Sequence, residues 1–510
     1  MKKVALILMV LTILSKVFGF LREITLAYIY GTSNISDAYL ISTTIPRVIF
    51  GFVTVGIISA FIPMYSKIFE KNGEDEARNF TNNLINTLLI VVTIIVSISL
   101  LFTEAIVSVF ASGFDIETFD MTVKFTRICL FALYFLVVIS VFTGYLQSKN
   151  KFVIPALIGL PFNIVIIISL FISVKLNVLI ALPIGFVIAI STQFLFMVYT
   201  IRKVGFKYKR TINFKDQHLK KMFFIALPVI LGISVNQINV LIDRTLASQI
   251  AIGGISALNY ASTLNEFVQG IFVLSIATVL YPLISAMAVK NDMIGLKNSL
   301  SGAMTGIFIT VLPITFITMT FAVEVVTLLF GRGAFDINAI SMTSYALFFY
   351  SIGMIGFGLR EVLSRVFYSM QDTRTPMINA SIGMALNIIL NIFLSRYLGI
   401  GGLALATSIA AIFTSLLMLV SLRRKIGPFG IKRMTNSFIK ILIASLIMSF
   451  VANKTFNFAN DILSQSFSLL LAVVASVISY CVIIYFMKVD DVEIIVNALK
   501  KKITKVRGSI

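Results

Sequence analysis

The sequence predicts an all-α integral membrane protein of about fourteen transmembrane helices: two six-helix lobes related by a pseudo-twofold axis along the membrane normal, plus two extra C-terminal helices. Three observations carry this prediction. Of 510 residues, 58% are apolar and only 13% charged, whereas soluble domains carry about 25% charged residues. Apolar runs follow one another with short polar gaps, and each is long enough to cross a bilayer. The second half of the chain also repeats the first.

Taken in order, the first run covers 4–29 behind Met1, Lys2 and Lys3. It continues past Lys16, Arg22 and Glu23 without a small-residue cleavage site, which reads as a retained helix and not a signal peptide. The next five cover 36–66, 80–110, 120–147, 152–173 and 179–201. A second set covers 219–247, 256–289, 298–330, 338–370, 376–395 and 401–422, and the last two cover 434–453 and 464–487. Several exceed the length a bilayer needs, which predicts tilt or kinks, with Pro46, Pro63, Pro228, Pro282 and Pro313 as kink positions.

Displacing the chain by about 220 residues superposes Thr25-Leu26-Ala27 on Thr245-Leu246-Ala247, Ile35-Ser36 on Ile255-Ser256, and Glu23 on Asp243. With small slips Pro63 meets Pro282, Gln147 meets Gln371, and Asn163 meets Asn387. Six spans separate equivalent points, an even number, so the halves share one orientation. The expected divisions are an N-lobe over 1–203, a C-lobe over 204–425, an appended helix pair over 426–488, and a basic cytoplasmic tail over 489–510.

The 42 Lys and Arg against 22 Asp and Glu give a net charge of +20, and their placement assigns orientation. With both termini inside, the outer loops hold only Lys175, Arg332, Arg396 and Lys454, while the cytoplasmic segments carry clusters such as Arg202 to Lys221 and Arg423 to Arg433. The basic excess is thus read as topology and attraction to membrane lipids, with no nucleic acid partner. Cys129 and Cys481 lie in apolar runs and His218 stands alone, so neither a disulfide framework nor a metal centre is expected. No cofactor and no catalytic constellation is expected either, because no nucleotide-binding loop or extended polar domain is present.

Charge inside a span is expensive, about 2.5–3.5 kcal/mol at the bilayer centre on insertion scales, and marks function. Lys16, Arg22 and Glu23 lie in the first span, Asp37 and Arg47 in the second, Asp243 and Arg244 in the seventh. The first and seventh spans are repeat equivalents, so they are expected to line a central cationic cavity. Arg22, Arg47, Arg244 and Lys16 are the expected substrate-binding residues, and Glu23, Asp37 and Asp243 the supporting acids. Adjacent residues on a helix do not face each other, so each Arg is expected to be available for partners other than its neighbouring acid. Arginine's planar fork suits phosphate oxygens, and a cluster of guanidiniums fits a diphosphate. Asn387 and Asn391 share a helix face near Thr407. A monovalent-cation site is one reading of them, and interhelical hydrogen bonding the better one.

Certain stretches carry a resemblance: Ser15-Lys16-Val17-Phe18-Gly19-Phe20-Leu21-Arg22-Glu23, Ser36-Asp37-Ala38-Tyr39, Asp243-Arg244-Thr245-Leu246-Ala247-Ser248, Gly331-Arg332-Gly333-Ala334-Phe335-Asp336 and Gln371-Asp372-Thr373-Arg374-Thr375-Pro376. Through these the whole chain resembles the MurJ (MviN) family of lipid II flippases, within the superfamily of multidrug, oligosaccharidyl-lipid and polysaccharide exporters. The resemblance implies a transporter, not an enzyme, that moves lipid II from the cytoplasmic to the outer leaflet of the cell membrane by alternating access, in peptidoglycan biosynthesis. It implies that Arg22 and Arg244 engage the diphosphate and sugar headgroup and that Asp37 is a sensitive acid. Two positions depart from the family pattern. Lys16 stands where Arg is usual, and Phe50 where a second cavity arginine is usual, with Arg47 three residues earlier. A monomer is expected, with the membrane potential or a counter-ion biasing its return. The rival readings are a flippase for another undecaprenyl-diphosphate-linked oligosaccharide, a cation-coupled multidrug exporter and a non-transporting scaffold.

Overall fold

The computed structural model describes residues 2–290 and 292–487; the basic tail over 489–510 lies outside the described residues, as do the side chains of Pro228 and Pro282. The chain is an all-α integral membrane protein, and the described residues contain no strand. Its helices are α1 (Lys2–Tyr30), α2 (Asn34–Leu101), α3 (Thr103–Phe110), α4 (Ile116–Cys129), α5 (Ala132–Ser148), α6 (Val153–Leu157), α7 (Gly159–Lys175), α8 (Ala181–Lys203) and α9 (Gln217–Ile250). They continue as α10 (Gly254–Val289), α11 (Met293–Thr320), α12 (Ala322–Phe330), α13 (Ile337–Ile352), α14 (Met354–Ser369), α15 (Arg374–Ile426), α16 (Ile431–Asn460) and α17 (Gln465–Phe486). Among the described residues, seven helices are long and apolar enough to cross a membrane, or nine if each of two bent pairs, α4 with α5 and α13 with α14, is one span.

The two longest helices are folded back on themselves. α2 contains Gly73 at φ 85°, and beyond it Phe80 stacks on Phe61 with ring centres 6.0 Å apart. α15 contains Gly399 at φ 54°, and its arms are joined by hydrogen bonds from Asn379 to Ser421 (3.0 Å) and from Asn387 to Thr407 (3.3 Å). Polar side chains at the ends start several helices by accepting the otherwise unpaired N–H groups of the first turn. Ser33 accepts from Ser36 at α2, Asp216 from His218 at α9, and Asp292 from Gly295 at α11.

The duplicated pattern in the sequence is matched in local backbone geometry. Left-handed residues recur at displacements of 221 or 222: Gly31 with Gly253, Asn150 with Gln371, Asn177 with Gly399, and Gly205 with Gly427. Helix breaks recur at similar displacements of 219 and 223, at Phe102 and Phe321 and at Leu130 and Gly353. These breaks divide apolar runs that read as continuous in sequence.

Two compact units result, one comprising 1–257 with 332–339, the other 258–331 with 340–510. This division reflects packing, whereas the expected lobe boundary at 203 and 204 rests on the sequence repeat. In the first unit Tyr65 meets Tyr145 edge-on at 5.4 Å, and Tyr145 meets Phe206 at 5.1 Å, around buried Phe61. In the second, Ile284, Leu296, Leu300 and Ile307 pack with Val362, Val366 and Ile441, all fully buried. The Tyr480 hydroxyl donates to the Ile309 carbonyl at 2.7 Å and ties α17 to α11.

Gly253 combines two constraints. Its φ is 75°, and a Cβ there would lie 2.6 Å from the Thr32 carbonyl oxygen. Gly253→Ala is therefore expected to destabilise the first unit by about 1–3 kcal/mol, read as a fall in the melting temperature of the purified protein.

At the start of α15, Asp372 accepts from the Thr375 N–H (3.0 Å) and hydroxyl (2.8 Å) and pairs with Lys425 (2.5 Å). Partial burial pushes this carboxyl up, but the Lys425 hydrogen bond and the two Thr375 donors outweigh it and hold it down to about 2. A depressed carboxyl stabilises the fold above its unfolded pKa of about 3.9 and loses that contribution as pH falls through the folded value. Lys425 is 41% exposed, so solvent screening limits the pair to about 1 kcal/mol or less. Asp372→Asn should lower the melting temperature slightly at neutral pH, and the difference from the parent should vanish near pH 2.

Candidate functional site

The site begins where α1 and α7 meet. Asn163 on α7 donates through Nδ2 to the Gly159 carbonyl (2.9 Å) and the Ser15 carbonyl (3.4 Å), which fixes its amide so that Oδ1 faces α1. Arg22 Nη1 donates to that oxygen at 3.2 Å, while its Nε and Nη2 donate to Glu23 Oε1 at 3.1 and 2.5 Å. This corrects the expectation that Arg22 would not pair with its neighbour. Adjacent Cβ atoms do diverge, but the arginine chain is long enough to turn back onto the carboxylate. With Arg22 23% and Glu23 7% exposed, the pair is largely desolvated and holds only while both members are present.

Arg47, one residue after Pro46 in α2, shares a ring with Arg22. Its guanidinium carbon lies 5.9 Å from the centre of Phe162, and that of Arg22 lies 5.7 Å from it. Arg47 also lies 5.4 Å from Phe186, a fully buried ring of α8. The aromatic faces attract both cations, and the two arginines are near enough to repel each other. Arg47 nevertheless remains exposed, and no carboxylate lies within ion-pair distance of it among the described residues. Arg22 with Glu23 is neutral, so the group walled by α1, α2, α7 and α8 carries net positive charge. Positive charge of this kind attracts anions, and the planar guanidinium fork suits phosphate.

A second polar group lies at the start of α2. Asp37, 1% exposed, accepts the backbone N–H of Ser256 at 2.8 Å and so holds the first turn of α10. Arg244 on α9 donates to the Ile255 carbonyl at 3.0 Å and acts electrostatically on Asp37. Asp243 accepts from Asn239 at 3.2 Å, one turn earlier on α9.

The structure thus brings Arg22, Glu23 and Arg47 together and gathers Asp37 and Arg244 at a second point. Lys16 is exposed on α1 and makes no ion pair among the described residues. Asn387 donates to Thr407 across the two arms of α15 and accepts from Asn391, one turn along its own arm, at 3.0 Å. Sequence reasoning missed Asn163, Phe162 and Phe186 as parts of the recess. The repeat match of Asn163 with Asn387 was the one signal for the first; the two phenylalanines are not distinguishable among 45.

Comparison with known proteins gives concordant results. The family model described as lipid II flippase MurJ matches residues 26–487. A probable lipid II flippase MurJ of Vibrio cholerae is 28% identical over 460 residues, covering 88% of this chain and 87% of the relative. The solved structure of a lipid II flippase MurJ in an inward closed conformation superposes with a TM-score of 0.82 at 29% identity, covering 94% of this chain and 98% of its own. An inward-facing multidrug resistance transporter of the MATE family shares the fold, with a TM-score of 0.67 at 15% identity over 81% of this chain and 94% of its own. With the family model spanning nearly all of the described residues, the chain belongs to the MurJ lipid II flippase family.

Proposed function

We propose that this protein is a lipid II flippase, carrying the undecaprenyl-diphosphate-linked disaccharide peptide from the inner to the outer leaflet of the cytoplasmic membrane. Fourteen spans, reached by counting the two folded helices as two each and adding α1, α9 and α10 to the nine, would form two lobes and an appended pair with both termini cytoplasmic. The lobes open alternately to each side, so the polar headgroup crosses without a continuous pore. No covalent step is required, and the chain works as a monomer. The single observation carrying this reading is Arg47, an exposed residue without an ion-pair partner among the described residues, sharing the Phe162 ring with Arg22. One diphosphate oxygen would take the Arg47 fork while Arg22, held by Glu23 and Asn163, presents its remaining edge. The Asp37 and Arg244 group would hold the α2 and α10 starts together during one phase of the cycle. Lys16 would meet the headgroup near the mouth. The polyprenyl tail would stay in lipid beside α16 and α17. Excess positive charge in the recess lets the membrane potential bias the return of the empty carrier, at about 2.3 kcal/mol per charge per 100 mV, with a monovalent counter-ion as the other source.

The test is leaflet accessibility in cells whose sole lipid II flippase is this protein. On its depletion lipid II should accumulate at the cytoplasmic leaflet and become unreachable from outside. Persistent outside accessibility would overturn the reading.

A further inference from the structure

The second unit contains a cavity of about 400 Å³ bounded by α11, α14, α15 and α16. Its walls are apolar, with Phe308, Leu359, Leu419 and Phe438 among them, and Ser415 in the wall turns its hydroxyl back to the Ile412 carbonyl at 2.7 Å. Leu416 and Val420 line it and are 52% and 50% exposed, so the cavity opens toward the surrounding lipid. At Gly356, which lines the cavity, α14 approaches α15 so closely that a Cβ would lie 2.6 Å from the Ile412 backbone nitrogen. One cation stands at the mouth. Arg423 is exposed and makes no ion pair among the described residues, while its neighbour Lys425 is committed to Asp372. No acidic residue lines the cavity.

We propose that this slot is a site for an anionic glycerophospholipid, with one acyl chain in the cavity and the phosphate on Arg423. An apolar cavity open to lipid fills with hydrocarbon in preference to water, and an unpaired arginine at a membrane surface draws an anionic headgroup. The volume suits a single chain at the low end of ligand cavities, which run to roughly 300–1,000 Å³. The site is formed wholly within the second unit and does not use Arg22, Arg47 or Arg244, so it stands or falls independently of the substrate assignment.

The test uses the full-length protein in nanodiscs containing phosphatidylglycerol and phosphatidylcholine, with bound lipid counted by native mass spectrometry. Three variants are compared: Arg423→Gln, Val420→Trp to block the slot, and Arg424→Gln as a control for an exposed charge outside the lining. Each must first match the parent in size-exclusion profile, and a variant that fails is replaced by Arg423→Lys or Val420→Phe. Arg423→Gln should reduce retained phosphatidylglycerol about five-fold, the equivalent of one basic residue at an anionic surface. Val420→Trp should reduce both lipids, and Arg424→Gln should change neither. Equal losses from Arg423→Gln and Arg424→Gln would show diffuse attraction and overturn the site. So would displacement of the phosphatidylglycerol by undecaprenyl phosphate, which would assign the slot to the substrate's own chain.

Discussion

Arg47→Ala is expected to slow lipid II translocation by about 10–100-fold while leaving the fold intact. A charge-assisted hydrogen bond contributes about 1.5–3 kcal/mol, and each 1.4 kcal/mol is about tenfold. Arg47 is exposed and holds no carboxylate within ion-pair distance among the described residues, so its removal leaves no buried partner behind. The same substitution at Arg22 is a poorer probe. It strands Glu23, 7% exposed, and breaking a desolvated pair costs about 3–5 kcal/mol, so lost transport would be mixed with lost stability. Arg47→Lys should fall between parent and alanine, since it keeps the charge and loses the planar fork. Translocation rates in proteoliposomes, with melting temperatures measured alongside, separate these outcomes. Translocation slowed to that extent in Arg47→Ala, with an unchanged melting temperature, is the expected pattern.

Asp37→Ala should be the most destabilising single substitution among the polar residues of the first unit, by about 3–5 kcal/mol. Two groups lose their partner at once. The N–H of Ser256, on a fully buried residue, loses its acceptor, and the nearby Arg244 loses a counter-charge. Asp37→Asn keeps an oxygen for the Ser256 N–H and gives up only the charge, so it should cost less. Melting curves of the two variants measure the difference. Equal stability of Asp37→Ala and the parent would mean that Asp37 does not hold the start of α10.

Much of this architecture is legible as apolar runs, and the repeat is legible as matched residues, because both arise from local composition. Most of the breaks inside those runs are not. Phe102, Leu130 and Phe321 are not helix breakers, so their identity does not announce a break, whereas Gly159 and Pro161 do mark the one at Ile158. The expense of a mid-span arginine marked Arg47 as a residue of interest, and the same reasoning marked Arg22. What surrounds them was hidden for different reasons. The Arg22 and Glu23 pairing depends on side-chain reach, which Cβ spacing ignores. The partner of Asp37 is a backbone N–H, which every residue but proline carries. The aromatic faces under the guanidiniums belong to Phe162 and Phe186, chemically like the other phenylalanines and distinguished only by where α7 and α8 place them.

The central claim is that the recess on α1, α2, α7 and α8 grips the diphosphate. Its most direct test is equilibrium binding of lipid II to the purified full-length protein, compared between the parent, Arg47→Ala and Lys454→Ala, an exposed cation of α16 far from Arg47 in sequence. The account predicts that Arg47→Ala weakens binding by about tenfold or more, and that Lys454→Ala binds as the parent does. Parent-like affinity in a folded Arg47→Ala protein would contradict it.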